Sequence, residues 1–236
     1  MAPARATARQ RTSPLSDEQA VARYKRTAAR AAAELIEDGM RVGLGTGSTV
    51  AHLLPAIAER GLADLRCVAT SPETERAARE LGLTLTTLDE LGELDVAIDG
   101  ADQIDPRGWL VKGGGGAHTR EKIVACAARR FVVIASAEKA VRKLAPPVPL
   151  ELVRFGVQRT LVAVEPARLR GAMESPDGGL IADYLGAIGA PGELATRLGA
   201  TPGVVEHGLF APEIVSLMLI AGADGVECRA GAKPPD

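Results

Sequence analysis

Four glycines in succession, Gly113 to Gly116, leave this chain the least freedom in how it can fold. Inside a helix or strand each would cost roughly 0.5–1 kcal/mol relative to alanine, so the run belongs in a loop where backbone comes close to something else. Its surroundings narrow the choice. Asp99, Asp102 and Asp105 precede it, Lys112 abuts it and Glu121 follows it, and the whole stretch comes directly after an apolar, strand-like run. Packing alone does not require that mixture. A small ligand is the simplest partner for the glycines.

A second loop of the same kind lies earlier. Met40 to Leu44 reads as a short strand leading into Gly45-Thr46-Gly47-Ser48-Thr49 and then into a helix through Arg60, bent near Pro55. Free amides and the positive end of the helix dipole converge at such a turn and favour an anion. A Walker loop needs a lysine before the hydroxyl residue, and none is present. A dinucleotide fingerprint from Gly43 or Gly45 fails at Ser48 or Val50, and Leu65 to Ala69 leads into Thr70-Ser71 rather than an acid, which argues against NAD. A phosphate on a small molecule remains.

Around these loops, strand-like runs recur at Leu65 to Ala69, Leu83 to Leu88, Leu94 to Ile98 and Phe131 to Ala135. Helical patterns fill Pro72 to Leu81 and Ala117 to Arg129. Ser16-Asp17-Glu18-Gln19 has the form of a capping box opening an Ala-rich helix that carries Lys25 and should run to Gly39. Alternation of this kind predicts a Rossmann-like, doubly wound parallel sheet with its ligand crevice at the carboxyl ends of the strands. Thr46 to Thr49, Asp99 to Asp102 and Ser136 to Lys139 should then meet on one rim. From Pro146-Pro147 a smaller α+β domain of the split βαβ, ferredoxin-like kind is expected. Its strands are Val148 to Val153 and Gly179 to Tyr184, its helices Val157 to Val164 and Glu193 to Leu198, and Gly203 to Phe210 is extended again. Val215 to Ile220 and Gly225 to Cys228 return to the first domain. The expected organisation is a tail over 1–15, a catalytic domain of 16–146 with 211–230, a small domain of 147–210 and a tail over 231–236.

Composition excludes several classes. A net charge of −2 with only 3% aromatic residues gives neither the field nor the stacking platforms of a nucleic-acid binder. No apolar run is long enough to span a bilayer, and the basic first fourteen residues read as a disordered tail before they read as a transit peptide. Cys67, Cys126 and Cys228 are odd in number, far apart and not in metal-ligand spacing, so a cytoplasmic, reducing setting is expected. His52, His118 and His207 are too scattered to hold zinc.

Carboxylates beside a lysine, with no metal-ligand cluster, fit proton shuttling. An ionised Glu121 can take a proton next to a carbonyl. Lys112 and the amides of the glycine run can stabilise the enediolate that forms, each such donor being worth about 10²–10³ in rate. Taken singly, Asp102, Asp105 and Glu121 are solvated or capping acids, and Lys25 a surface lysine. Their co-occurrence with Lys112 and the glycines tips the balance, while Asp105, followed by Pro106, reads as a turn residue.

The motifs together resemble the type A ribose-5-phosphate isomerases. The resemblance rests on Gly45-Thr46-Gly47-Ser48-Thr49, Asp99-Gly100-Ala101-Asp102, Lys112-Gly113-Gly114-Gly115, Thr119-Arg120-Glu121-Lys122 and Ser136 to Lys139. It continues through Pro149-Leu150-Glu151-Leu152 and Pro202-Gly203-Val204-Val205 to Gly208-Leu209-Phe210. It implies interconversion of D-ribose 5-phosphate and D-ribulose 5-phosphate in the non-oxidative pentose phosphate pathway, without metal or coenzyme, in a homodimer or homotetramer. By position it makes Glu121 the base, gives Asp99, Lys112 and Asp102 parts in ring opening and proton transfer, and makes Thr46, Gly47, Ser48, Thr49, Gly100, Ala101, Gly113, Gly114, Gly115, Lys139 and Lys25 substrate-binding residues. Gln103, His118, Gly116, a small domain shortened around Val157 to Met173, and Ala211-Pro212-Glu213 depart from the pattern. A non-catalytic sugar-phosphate-binding regulatory module stays open as an alternative, as does a deaminase or acyl-CoA transferase on a related fold.

Overall fold

The computed structural model describes residues 16–233; the N-terminal tail expected over 1–15 and residues 234–236 lie outside the described residues. In chain order the elements are α1 (Asp17–Ala33), β1 (Arg41–Leu44), α2 (Val50–Ala58), β2 (Arg66–Ala69), α3 (Pro72–Glu80), α4 (Leu88–Leu91), β3 (Leu94–Gly100), β4 (Gln103–Ile104), β5 (Leu110–Val111), α5 (His118–Ala127) and β6 (Ala128–Ser136). A 3₁₀ turn over Ala137–Lys139 leads to β7 (Val148–Leu152), α6 (Val157–Ala163), β8 (Ala167–Glu174), β9 (Leu180–Tyr184), α7 (Pro191–Gly199), β10 (Val204–His207) and β11 (Leu209–Phe210). A second 3₁₀ turn, Pro212–Ile214, precedes β12 (Leu217–Gly222) and β13 (Gly225–Ala230).

Six strands form the main sheet in the order β13-β12-β6-β3-β1-β2, all parallel except the antiparallel edge strand β13. Side chains alternate across it. Val96 and Ile98 of β3, Val132 and Ile134 of β6, and Leu219 of β12 pack beneath α1 and α2. Leu94, Ala97, Phe131, Val133 and Ile220 face the opposite layer, which contains Val124 and Ala125 of α5. Helices on both faces explain why these strands read as continuous apolar runs. The chain leaves β1 toward β2 on one side and returns to β3 on the other, so the topological switch point, where ligands of open α/β sheets bind, falls between β1 and β3. Leu44 pairs with Ile98, and Gly100 with Ile134, which brings the loops after these strands to one rim.

The second sheet runs β10-β7-β9-β8, entirely antiparallel, with α6 and α7 packed over a core of Leu150, Val164, Leu194 and Leu198. This is the ferredoxin-like split βαβ arrangement. A third, small sheet, β11-β5-β4, ties Leu209 and Phe210 to Leu110 and Val111 beside the rim.

Several local expectations are corrected. The Ser16/Gln19 capping box forms, but α1 stops at Ala33 rather than Gly39; the amides of Leu35 and Ile36 turn back to the carbonyls of Ala32 and Ala33, and the Arg60 guanidinium donates to the carbonyls of Ala33 and Ile36. Leu83 to Leu88 is not a strand. Only Leu85 bridges to Cys67, and a Thr87/Glu90 capping box then turns the chain into α4. Of the expected C-terminal tail, Gly231 and Lys233 are hydrogen-bonded to Ser216 and Val215.

Candidate functional site

Asp99 sits at the end of β3 where the sheet divides. Its Oδ1 accepts hydrogen bonds from the amides of Thr46 (3.1 Å) and Gly100 (2.6 Å), so one carboxylate oxygen joins the two loops. That closeness requires glycine at 45: a Cβ there would lie 1.9 Å from the Asp99 Cγ. The other oxygen, Oδ2, faces Lys112, which follows β5 and is itself fixed by donation from its amide to the Gly208 carbonyl (2.8 Å).

Lys112 lies between two acids. Its Nζ is 2.9 Å from Asp99 Oδ2 and 3.2 Å from Glu121 Oε2, and all three side chains are no more than 5% exposed. Both distances are those of charge-assisted contacts, and Lys112 favours the ionised form of each acid. The ammonium also donates to the Gly100 carbonyl at 2.6 Å and lies 5.4 Å from the centre of the Phe210 ring. Buried charges of this kind must be paired, and here one lysine serves two acids.

Burial, and next the charge of Asp99, push the Glu121 carboxyl up to about 8. Glu121 therefore keeps its proton to higher pH than its residue type alone suggests. Burial also raises Asp99, and the two surrounding acids outweigh burial at Lys112 and raise its pKa, keeping it charged. Two carboxylates and one ammonium sum to −1, so a single proton makes the buried group neutral. It is a one-proton store.

Above this group opens a pocket lined by Thr46, Gly47, Ser48, Thr49, Gly100, Ala101, Asp102, Lys112, Gly113, Gly114, Gly115, Glu121 and Lys139. Glu121 reaches it from the first turn of α5, and Lys139 from the 3₁₀ turn after β6. Lys25, on α1, donates to Ser48 Oγ at 2.9 Å, and Asp102 Oδ2 accepts from the Gly114 amide at 2.9 Å. The residues that the resemblance assigns to the site thus all lie in the pocket wall, except Asp99 beneath it and Lys25 against its loop; Gly116 and Asp105 do not line it. Among the described residues no group of three or more His, Cys, Asp or Glu side chains is arranged to hold a metal ion.

Sequence reasoning misses several residues. Thr70 shares a 2.8 Å hydroxyl contact with Thr46, and Thr74 donates to the Gly45 carbonyl (2.9 Å), so the turn after β2 and the first turn of α3 brace the anion loop. Arg170 of the small domain, paired with Asp183, meets the glycine ribbon from outside. His118 is fully buried against Gly113, where a Cβ would lie 2.7 Å from its Nδ1, and burial lowers its pKa to about 4, so it is neutral and outside the pocket wall.

Fold and site together define an α/β protein with a small, polar, glycine-lined pocket over a buried acid–lysine–acid group. A family model described as ribose 5-phosphate isomerase A (phosphoriboisomerase A) matches residues 66–225. The ribose-5-phosphate isomerase A of Roseiflexus castenholzii is 48% identical over 220 residues, covering 86% of this chain and 93% of that protein. Among solved structures, ribose 5-phosphate isomerase A from Neisseria gonorrhoeae superposes with a TM-score of 0.84 at 31% identity, covering 89% of this chain and 97% of that one. A D-ribose-5-phosphate isomerase in complex with phospho-erythronic acid gives 0.85 at 33% identity, covering 89% and 99%. The chain belongs to the ribose 5-phosphate isomerase A family.

Proposed function

We propose that this chain interconverts D-ribose 5-phosphate and D-ribulose 5-phosphate, with Glu121 moving the carbon-bound proton. The carrying observation is Glu121, buried at the wall of the pocket with its Oε2 3.2 Å from a charged lysine. The phosphate is received by the Thr46 to Thr49 turn, the N-terminus of α2, Lys25 and Lys139. A free amide edge, a helix dipole and two cations favour it there.

The sugar then extends over Asp99, Lys112 and Glu121. With the ring opened, the ionised Glu121 takes the proton from C2, and the electron pair moves into an enediolate whose charge falls on O1. Lys112 and the ribbon amides are donors for that charge, in place before it develops. The O2 hydrogen passes to O1 through the Asp99, Lys112 and Asp102 group, and Glu121 returns its proton to C1. Atoms and charge balance with nothing consumed.

This deploys a base as well as a phosphate cradle, and only turnover needs the base. The family relation supports the isomerase reading over a regulatory module. Assembly as a homodimer or homotetramer and a cytoplasmic location belong to the same proposal, the latter supported by three free cysteines, two of them exposed. The test is ketose formation from ribose 5-phosphate in the presence of a chelator. Full activity is expected there, Glu121→Gln should bind yet lose most turnover, and a requirement for an added divalent ion would overturn the mechanism.

A further inference from the structure

The glycine ribbon is held from behind by one side chain. Arg170 Nη1 donates to the carbonyls of both Gly113 and Gly114, at 3.0 Å each. The other edge of its guanidinium is gripped by Asp183 on the neighbouring strand, Nε to Oδ2 at 2.7 Å and Nη2 to Oδ1 at 2.6 Å. Such two-point pairing fixes the plane of the guanidinium as well as its position. Both residues belong to the small domain's sheet, so this contact is where that domain acts on the pocket.

The consequence follows from peptide geometry. The Gly113–Gly114 and Gly114–Gly115 bonds are trans, and in a planar trans peptide the N–H points opposite to the C=O. Turning the Gly113 carbonyl out toward Arg170 turns the Gly114 amide inward, where it meets Asp102 at 2.9 Å. Turning the Gly114 carbonyl out likewise turns the Gly115 amide inward. That amide has no acceptor among the described residues, and Gly115 lines the pocket. Within the ribbon the Gly116 amide also donates to the Gly113 carbonyl (3.0 Å), but the Gly114 carbonyl has no donor other than Arg170 among the described residues, and glycine has no side chain to hold it.

We propose that Arg170, clamped by Asp183, is a positioning residue for the reaction: it sets the two ribbon peptides so that the Gly114 amide orients Asp102 and the Gly115 amide is presented to a substrate oxygen. The inference rests on the isomerase reading. Arg170 touches neither the pocket nor the phosphate loop, and its influence passes entirely through the two carbonyls.

Arg170→Gln, Arg170→Lys and Asp183→Asn test it. Losing an oxyanion donor outright costs about 10²–10³ in rate, so loosening one should lower kcat by roughly 10- to 100-fold in Arg170→Gln. Inhibition by inorganic phosphate, which reports on the Thr46 to Thr49 turn, should stay within about twofold of the parent, because only transition-state interactions are affected. The Gly114 and Gly115 amide resonances should shift and exchange faster with solvent. Arg170→Lys, which can still donate to a carbonyl, should recover part of kcat, and Asp183→Asn should lose less than Arg170→Gln. Parental kcat in Arg170→Gln would overturn the proposal, as would a parallel fall in kcat, phosphate affinity and Tm, which is general loosening. If the parent protein forms no ketose, the isomerase reading fails by itself, and the amide resonances then judge the clamp: shifted, it holds; unshifted, it does not.

Discussion

Lys112 and Glu121 face each other at 3.2 Å, both side chains almost wholly buried. Removal of the lysine should be felt both in rate and in folding. In Lys112→Gln, kcat should fall at least about 10²-fold through loss of a donor to the enediolate. Breaking a buried charge pair costs about 3–5 kcal/mol when the remaining charge cannot escape, but Asp99 and Glu121 can escape by taking protons. The variant's Tm deficit should thus be modest near pH 5 and grow toward pH 9. A deficit independent of pH would mean that the lysine does not hold these acids ionised.

The raised carboxyl of Glu121 predicts the pH dependence of the parent enzyme. In the free protein the base becomes available only as its proton leaves, so kcat/KM should climb with pH and level off above about 8. A sugar phosphate takes its second negative charge near about pH 6, well separated from that limb. Stability should run the opposite way. The folded state binds the Glu121 proton more tightly than the unfolded chain does, so this contribution is full below the ordinary glutamate value of 4.5 and is lost as pH rises through about 8. Glu121→Gln should abolish the kinetic limb and flatten the stability slope, and a limb that survives in that variant would assign it to another group.

What the sequence makes legible here is what chemistry makes unusual. A run of glycines beside a lysine, or a Gly-Thr-Gly-Ser-Thr turn after a strand, has no packing motive and is conspicuous without coordinates. Arg170 and Asp183 are not conspicuous. Strand β8 is mostly exposed and lacks the apolar alternation that marks a half-buried strand, so neither it nor an arginine on it can be read from pattern. The ionisation of Glu121 is also hidden, because its residue type fixes only the starting value, and the shift comes from burial and from Asp99, 22 residues away in sequence. Leu83 to Leu88 misleads for the converse reason: its apolar residues suit a strand, but the Thr87/Glu90 cap starts a helical turn.

Lys25 and Lys139 should behave alike and unlike Lys112. Lys25 is bonded to Ser48 and Lys139 lies in the pocket wall, and the proposed function gives both to the phosphate. Contacts with a phosphate that does not change during the reaction are made equally in ground and transition states, so their loss raises KM and leaves kcat nearly alone. Lys25→Ala and Lys139→Ala should each raise KM roughly 10-fold, consistent with about 1.4 kcal/mol for a charge-assisted contact. A defect confined to kcat in either variant would remove that lysine from phosphate binding.

Two glycines of the anion loop separate steric need from conformational need. At Gly47, φ is +116° and nothing lies within 4 Å of an added Cβ, so Gly47→Ala meets only the backbone penalty of about 1–2 kcal/mol. At Gly45 no positive φ is involved, but the added carbon would fall 1.9 Å from the Asp99 carboxyl, inside its covalent envelope. Asp99 would have to leave the Thr46 and Gly100 amides, and with them the alignment of Lys112. Gly45→Ala should therefore lose at least about 10²-fold in kcat, comparable to losing a site donor, on top of the roughly 1–3 kcal/mol of an overpacked interior. Gly47→Ala should show a small Tm drop with a change mainly in KM. Measuring Tm and kcat for both variants checks the assignment, and near-parental kcat in Gly45→Ala would show that Asp99 need not hold the two loops together for turnover.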